Sequence, residues 1–373
     1  MPNSFHEEMY SSNATDDSYK RTQKGKKKYT NEAIMYNACR ETNLMDLRKS
    51  VRDKTYRPGK YGYMIVREPK VRVVHFPKLP DKVVQFNAHR ILKRLYDPVY
   101  IKTTYACLDG KGTYDAIRKI QHNMRFVKNK YGDAWIAKLD LRKYYYSIDR
   151  DVTKKLYRKR VPSDEYYFLE YLDMVVDSSP EPDGKGHPLG NVCSQDFGNI
   201  TGNEIDQYAV RYKKYKEYVR YMDDIIMVFP TKDEAKDAIA DLQGFIAKNL
   251  HLETNEKTRI FPVAQGVKTL GVRIYTTHIL LQDRTIQSMK RRMKEIDRKV
   301  KAGEMTEKRA QQEVNAWLGH ARHTNSYKLC QKIFAPYPYI KFTDEKWKFG
   351  DRSPKEKARY EEKNKKKKSK GHS

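Results

Sequence analysis

The sequence predicts an α+β fold, and three observations carry that prediction. Segments of helical and strand periodicity alternate along most of the chain, two short apolar strand-like runs carry carboxylates at their ends, and residues 287–334 form a Lys/Arg-rich helical stretch without proline. At 373 residues, with 38% hydrophobic and 12% aromatic side chains, the chain is long enough for two or three units and rich enough to fill a core.

The elements follow in order. Residues 1–30 are polar and close on KRTQKGKKKYT, so a flexible basic arm is expected. The β-rich run VRVVHF stops at Pro77, and Asp81 to Tyr96 then sets Val84, Ala88, Ile91, Leu92 and Leu95 at helical spacing. A Gly-Lys-Gly-Thr turn at 110–113 starts a helix to Tyr131 with Ile117, Ile120 and Met124 on one side. The stretch AWIAKLD reads as a short buried strand ending in Asp140, followed by Tyr144, Tyr145 and Tyr146. Residues 151–176 are helical in pattern, and SSPEPDGKGHPLG is a loop by composition. Asn191 to Tyr212 fits a helix through Phe197, Ile200, Ile205 and Val210. The runs 216–221 and 225–229 suit a hairpin with Asp223 and Asp224 at its tip. A helix from Asp233 to Lys248, a strand pair near 258–277 and the basic helical stretch complete the pattern. From about residue 351 there is almost nothing to bury, so a disordered cationic tail is expected.

Composition narrows the partners. Lys+Arg number 76 against 48 Asp+Glu, a net +28, and such a surplus attracts phosphate backbones through Coulomb energy and counterion release. Nucleic acid is the leading partner; a basic structural protein or a merely solvated basic surface is the plainer reading. Cys39, Cys107, Cys193 and Cys330 lie far apart with no CxxC pair, which writes neither a zinc knuckle nor a disulfide framework. No apolar run approaches the roughly 20 residues of a membrane span. The first seventeen residues lack the features of a secretory signal, so a cytoplasmic location is expected.

The carboxylates carry the chemistry. Folding the strand that ends in Asp140 beside those flanking Asp223 and Asp224 would gather three acids, and like charges so placed raise one another's pKa unless a cation neutralises them. Hard oxygen donors favour Mg²⁺. Two such ions activate an attacking 3′-hydroxyl and stabilise departing pyrophosphate, which is nucleotidyl transfer. A lone Asp-Asp pair in a turn is more often a solvated loop, but the order found here is narrower: an apolar strand ending in Asp140, Tyr145 five residues on, a glycine loop near 190, apolar-flanked Tyr221-Met222-Asp223-Asp224, then Lys257 and Leu270-Gly271.

That order resembles the reverse transcriptases, of the bacterial and phage group II-intron-like family, over about residues 45 to 335. The resemblance implies a right-hand polymerase with fingers over 31–130, palm over 131–150 and 188–277, a fingers–palm connection over 151–187, a helical thumb over 278–345 and a basic tail over 346–373. It implies Asp140 and Asp223 as principal Mg²⁺ ligands, Asp224 as the third acid, two ions in all, and Mn²⁺ as a substitute. Tyr145 would be a steric gate against a 2′-hydroxyl, with an ordinary core tyrosine as the alternative. Lys70 and Arg72 in REPKVRVV match residues that contact the triphosphate and the incoming base, tasks suited to a planar, permanently charged guanidinium. Lys257 in LETNEKT matches a lysine that protonates pyrophosphate, with a surface lysine as the alternative, and Leu270-Gly271 in TLGVRIY resembles the primer grip.

The string Leu189-Gly190-Asn191-Val192-Cys193-Ser194-Gln195 is similar to that of reverse transcriptases from diversity-generating retroelements, as are TYACLDGKGT at 104–113 and AWLGHARHTNSYKL at 316–329. Leu189 stands where other reverse transcriptases place a glutamine near the incoming nucleotide, with ordinary loop packing as the alternative, and Gly190, Asn191, Ser194 and Gln195 complete the nucleotide and template loop. An aliphatic residue cannot make that hydrogen bond, so low fidelity at template adenines is the implied consequence. The implied partners are template RNA, the cDNA/RNA duplex, dNTPs and a small basic accessory protein oligomer of the accessory variability determinant type, in a bacterial or phage-infected cytoplasm. Tyr146, where the class often has Asp, and Thr103-Thr104, in place of Asp-Ser, depart from its pattern. An antiviral-defence reverse transcriptase is the competing reading within the enzyme class, and a catalytically inactive RNA-binding scaffold the one outside it.

Overall fold

A computed structural model describes residues 4–66 and 71–342. Contacts divide the chain after Pro262 into two units. Lys70 and the expected tail over 346–373 lie outside the described residues.

The first unit opens with helices α1 (Phe5–Tyr10), α2 (Ser12–Thr22), α3 (Asn31–Ala38) and α4 (Arg40–Arg52). This corrects the expected flexible arm over 1–30. Met9, Ala14, Ser18 and Tyr19 are buried. The Asn87 side chain anchors both helices, donating to the Met9 carbonyl at 2.7 Å and accepting from Ser18 at 2.5 Å. Burial here runs through small and polar residues whose partners lie some seventy positions away, so local hydropathy does not register it.

Strands β1 (Gly62–Val66) and β2 (Arg72–Phe76) form an antiparallel ribbon, followed by α5 (Leu79–Tyr96) and α6 (Thr113–Tyr131). The Asp115 carboxylate accepts from the Gly112 N–H at 3.0 Å and caps α6, which ends at Gly132 in a left-handed conformation. Next come β3 (Trp135–Asp140), the single turn α7 (Tyr144–Ser147), α8 (Arg150–Arg158), α9 (Tyr166–Asp177) and α10 (Val192–Asp206), which continues as a π-helical turn over Gln207–Tyr212. Strands β4 (Tyr218–Tyr221) and β5 (Asp224–Phe229), helix α11 (Lys232–Leu250) and β6 (Arg259–Pro262) close the unit. The four strands make an antiparallel sheet in the order β4-β5-β3-β6. Helices α6 and α11 pack against it. Ile225–Phe229 is accordingly buried residue after residue, which is why it reads as a continuous apolar run.

The strand pair expected near 258–277 is divided. Arg259–Pro262 joins the four-stranded sheet, whereas β7 (Val267–Thr269), β8 (Val272–Ile274) and β9 (Ile279–Leu281) form a separate antiparallel sheet in the second unit. The expected boundary at 277/278 therefore moves to follow Pro262, because these strands share their unit with α12 (Asp283–Lys301), α13 (Glu307–Ala321) and α14 (Tyr327–Phe334). Met289, Met293 and Ile296 of α12 meet Ala310, Val314 and Leu318 of α13 in a core of their own. Among the described residues no helix is long and apolar enough to cross a membrane.

Candidate active site

The β4–β5 hairpin is built on a two-residue turn. Tyr221 pairs with Asp224, and Asp224 pairs on its other side with Asp140, so Asp224 opens a strand rather than sharing the tip with Asp223. The turn is Met222-Asp223, with Met222 at φ +53°. Tight hairpin turns favour glycine at such a position. A side chain there is strained and persists only when its surroundings fix it. Two contacts do so: Arg220 Nη1 donates to the Met222 carbonyl at 3.3 Å, and the Tyr145 hydroxyl lies 3.4 Å from the Met222 sulfur. The Leu141 N–H donates to the Asp223 carbonyl at 3.3 Å and ties the turn to the end of β3.

The electrostatics follow from this register. Burial, reinforced by Asp224 and then Asp140, pushes the Asp223 carboxyl up to about 6. Lys138 shares a strand face with Asp140 and places Nζ 3.2 Å from Asp224 Oδ1. The backbones thus bring Asp140, Asp223 and Asp224 together. Among the described residues, however, no three acidic, histidine or cysteine side chains stand arranged as a ready metal cage. The donor set still fits a hard divalent cation: three carboxylates on adjoining positions, one held protonated more readily by burial and then by its neighbours, are relieved by an added positive charge.

Tyr145 is half-buried, and its ring edge lies against Gly198 of α10, where an added Cβ would stand 3.1 Å from the ring. Its neighbour Tyr144 is the core tyrosine, buried and donating to the Gly198 carbonyl at 2.6 Å. The loop carrying Leu189 and Gly190 is tied down on both sides. His187 N–H donates to the Tyr145 carbonyl at 2.7 Å, and Gly190 N–H to the His75 carbonyl of β2 at 3.0 Å. A Cβ on Gly190 would come within 2.3 Å of that carbonyl, so only glycine allows the contact. Leu189 is half-buried between these ties.

The remaining candidates divide. Asn191 precedes the first turn of α10 without a capping side-chain bond, and its side-chain N–H donates to Tyr61 at 2.8 Å. Ser194 is buried, whereas Gln195 is exposed. Arg72 is exposed at the start of β2. Lys257 is exposed on a loop that grips Asp140 by its backbone: Asn255 N–H donates to the Asp140 carbonyl at 2.7 Å, and Asp140 N–H to Thr258 Oγ1 at 3.4 Å. Leu270 and Gly271, both at positive φ, form the β7–β8 turn in the second unit. Sequence reasoning missed Lys138 and Arg220. Lys138 was open to detection, being two positions before Asp140 in an otherwise apolar strand.

The profile of the reverse transcriptase (RNA-dependent DNA polymerase) family matches residues 60–274, more than half of the chain, and the chain belongs to that family. Its fold is that of the right-hand polymerases, and the family typically uses divalent metal ions, Mg²⁺ above all. The group II intron-encoded protein LtrA of Lactococcus lactis subsp. cremoris is 23% identical over 184 residues, 46% of this chain and 29% of that protein. An uncharacterized mitochondrial protein of Marchantia polymorpha, ymf11, is 24% identical over 134 residues, 36% of this chain and 17% of that one. The matches thus span less than a third of these curated relatives. Among solved structures, apo telomerase of Candida tropicalis truncated from its C-terminal domain superposes with a TM-score of 0.48 at 12% identity, over 60% of this chain and 55% of that one. Telomerase of Candida albicans with a fragment of telomeric RNA gives 0.44 at 13%, over 63% and 50%.

Proposed function

We propose that this chain is an RNA-directed DNA polymerase making cDNA by two-metal nucleotidyl transfer, and that it errs at template adenines as reverse transcriptases of diversity-generating retroelements do. The observation that carries the polymerase reading is the register that sets Asp140 opposite Asp224 with Asp223 in the adjoining turn. Asp140 and Asp223 are the residues to hold the ions, with Asp224 beside them under the restraint of Lys138. Bound Mg²⁺, or Mn²⁺ in its place, supplies the charge that favours the attacking oxygen and the leaving pyrophosphate. Tyr145, seated against Gly198, excludes a 2′-hydroxyl by its ring. Arg72 and Lys70 serve the triphosphate, and Lys257, exposed on the loop that grips Asp140, serves as the proton donor to pyrophosphate. Leu270-Gly271 serves as the primer grip, and the basic helices of the second unit as the track for the duplex.

The finer reading rests on the loop. Leu189 offers no side-chain hydrogen bond to a nucleotide, and the Asn191 side-chain N–H is engaged by Tyr61. Less discrimination between correct and incorrect bases is therefore available from this side of the pocket. Both departures from the class pattern have local employment. The Tyr146 hydroxyl donates to the Val73 carbonyl at 3.2 Å, and Thr104 Oγ1 donates to buried Asp206 at 2.6 Å.

The test is sequencing of cDNA made by the purified protein on an adenine-containing RNA template with Mg²⁺ and dNTPs, with and without the basic accessory protein. Misincorporation confined to template adenines is expected. Accurate cDNA would keep the polymerase and favour a defence role. No cDNA under any condition would overturn the polymerase reading in favour of an RNA-binding scaffold.

A further inference from the structure

We propose that Arg220 and Asp206 form a positioning pair that sets the Met222-Asp223 turn, and with it the metal affinity and turnover of the site. The proposal rests on the polymerase reading above.

Both side chains are fully buried. Asp206 receives four donors: Arg220 Nε at 2.7 Å and Nη2 at 2.8 Å, Tyr218 Oη at 2.7 Å and Thr104 Oγ1 at 2.6 Å. The carboxylate is thereby fixed, and it fixes the guanidinium plane in turn. Arg220 Nη1 is left to point the other way, reaching Asn199 Oδ1 at 3.4 Å and the Met222 carbonyl at 3.3 Å. The Arg220 backbone is clamped as well, its N–H donating to the Thr103 carbonyl and its carbonyl accepting from Tyr105, each at 3.1 Å. Helix α10 makes room for the fork at Gly202, where a Cβ would stand 2.4 Å from Nη1.

Stability alone is a poor account of such a pair, since well-packed apolar residues in place of a buried ion pair are often neutral or stabilising. Direction is what an apolar pair cannot supply. The one guanidinium nitrogen not used by Asp206 is aimed at the carbonyl of a residue held at positive φ, immediately before Asp223 in the same turn. A strained turn relaxes when its restraint is removed, and Asp223 moves with it.

The test uses the full chain with Arg220→Met combined with Asp206→Leu, which removes both charges at similar volume, and separately Arg220→Lys, which keeps a charge but loses the fork. Mn²⁺ binding is read by electron paramagnetic resonance of free Mn²⁺, alongside thermal unfolding, primer–template affinity, kcat and KM for dNTP. The double variant is expected to fold and bind primer–template as the wild type does. Its Mn²⁺ Kd should rise about fivefold or more and its kcat fall about 10- to 100-fold, with KM within about twofold, the pattern of lost positioning rather than lost substrate binding. Arg220→Lys should fall between. A folded double variant with wild-type Mn²⁺ affinity and kcat would overturn the proposal. Should that variant fail to fold, unchanged Mn²⁺ affinity and kcat in Arg220→Lys would do the same. If the wild type makes no cDNA, the polymerase reading fails while the Mn²⁺ measurement still decides the role of the pair.

Discussion

Replacing Asp223 with Asn tests the electrostatic account of the site without recourse to catalysis. Its carboxyl is pushed from 3.8 up to about 6 by burial, Asp224 and Asp140, so the folded chain holds that proton more tightly than the unfolded one. The sign follows by linkage: this contribution to stability is fully present below about pH 3.8, is lost as pH rises toward 6 and stays lost above. At about 1.36 kcal/mol per pH unit, the rise from 3.8 to about 6 amounts to at most about 3 kcal/mol. Asparagine has no proton to lose. With EDTA present, Asp223→Asn should therefore gain on the wild type between about pH 4 and 7, approaching that ceiling near neutrality. Titrating groups remote from the cluster are common to both proteins and cancel in the difference, whereas Asp224 and Asp140 lose a like-charged neighbour in the variant, which adds to its gain. Urea unfolding across that range reads it directly, and added Mg²⁺ should narrow the gap at neutral pH by stabilising only the wild type. A gap that is flat with pH, or Mg²⁺ stabilising both equally, would refute the electrostatic argument. Loss of cDNA synthesis with RNA affinity intact is the expected companion result.

Three further outcomes are expected. Tyr145→Ala should relax discrimination against ribonucleotides in single-nucleotide incorporation assays, and unchanged ribonucleotide use would return Tyr145 to a packing role. Leu189→Gln should lower misincorporation opposite template adenine, read by sequencing cDNA, and an unaltered error spectrum would remove the loop from the fidelity argument. Gly202→Ala drives a Cβ to within 2.4 Å of Arg220 Nη1 and should cost about 1–3 kcal/mol in unfolding experiments. A variant as stable as the wild type would mean that the fork has room to shift.

What the sequence revealed and what it hid have separate causes. Helix α6 over Thr113–Tyr131 was legible to its ends because both are written locally, in a glycine turn and a terminal Gly132. The meeting of Asp140 with Asp224 was legible because strand alternation and a short turn leave few registers. Helices α1 and α2 were not legible, since their anchor is Asn87 on another helix. The Arg220–Asp206 pair was equally hidden: Arg220 in a strand next to a catalytic-looking motif reads as one more surface cation in a chain of net charge +28, and only the fold shows that it is buried.

The segment from His187 to Asp206 links features that the sequence presents as separate. Its entry loop joins the Tyr145 carbonyl through His187 and the His75 carbonyl through Gly190. Gly198, eight residues on, is the seat of the Tyr145 ring, and Gly202, one helical turn further, is the seat of the Arg220 fork. Tyr145, the Leu189 loop and the support of the acidic hairpin therefore share one helix and its cap. A densely packed interior transmits displacement rather than absorbing it. Substitutions at Leu189 that shift the entry of α10 should then disturb sugar selection and metal affinity along with base selection, whereas a side chain acting only by its own contact with the nucleotide would change base selection alone. Measuring all three on the Leu189→Gln protein separates these two modes of action, because the hydrogen bond is introduced at Leu189 while Gly198 and Gly202 remain as they are.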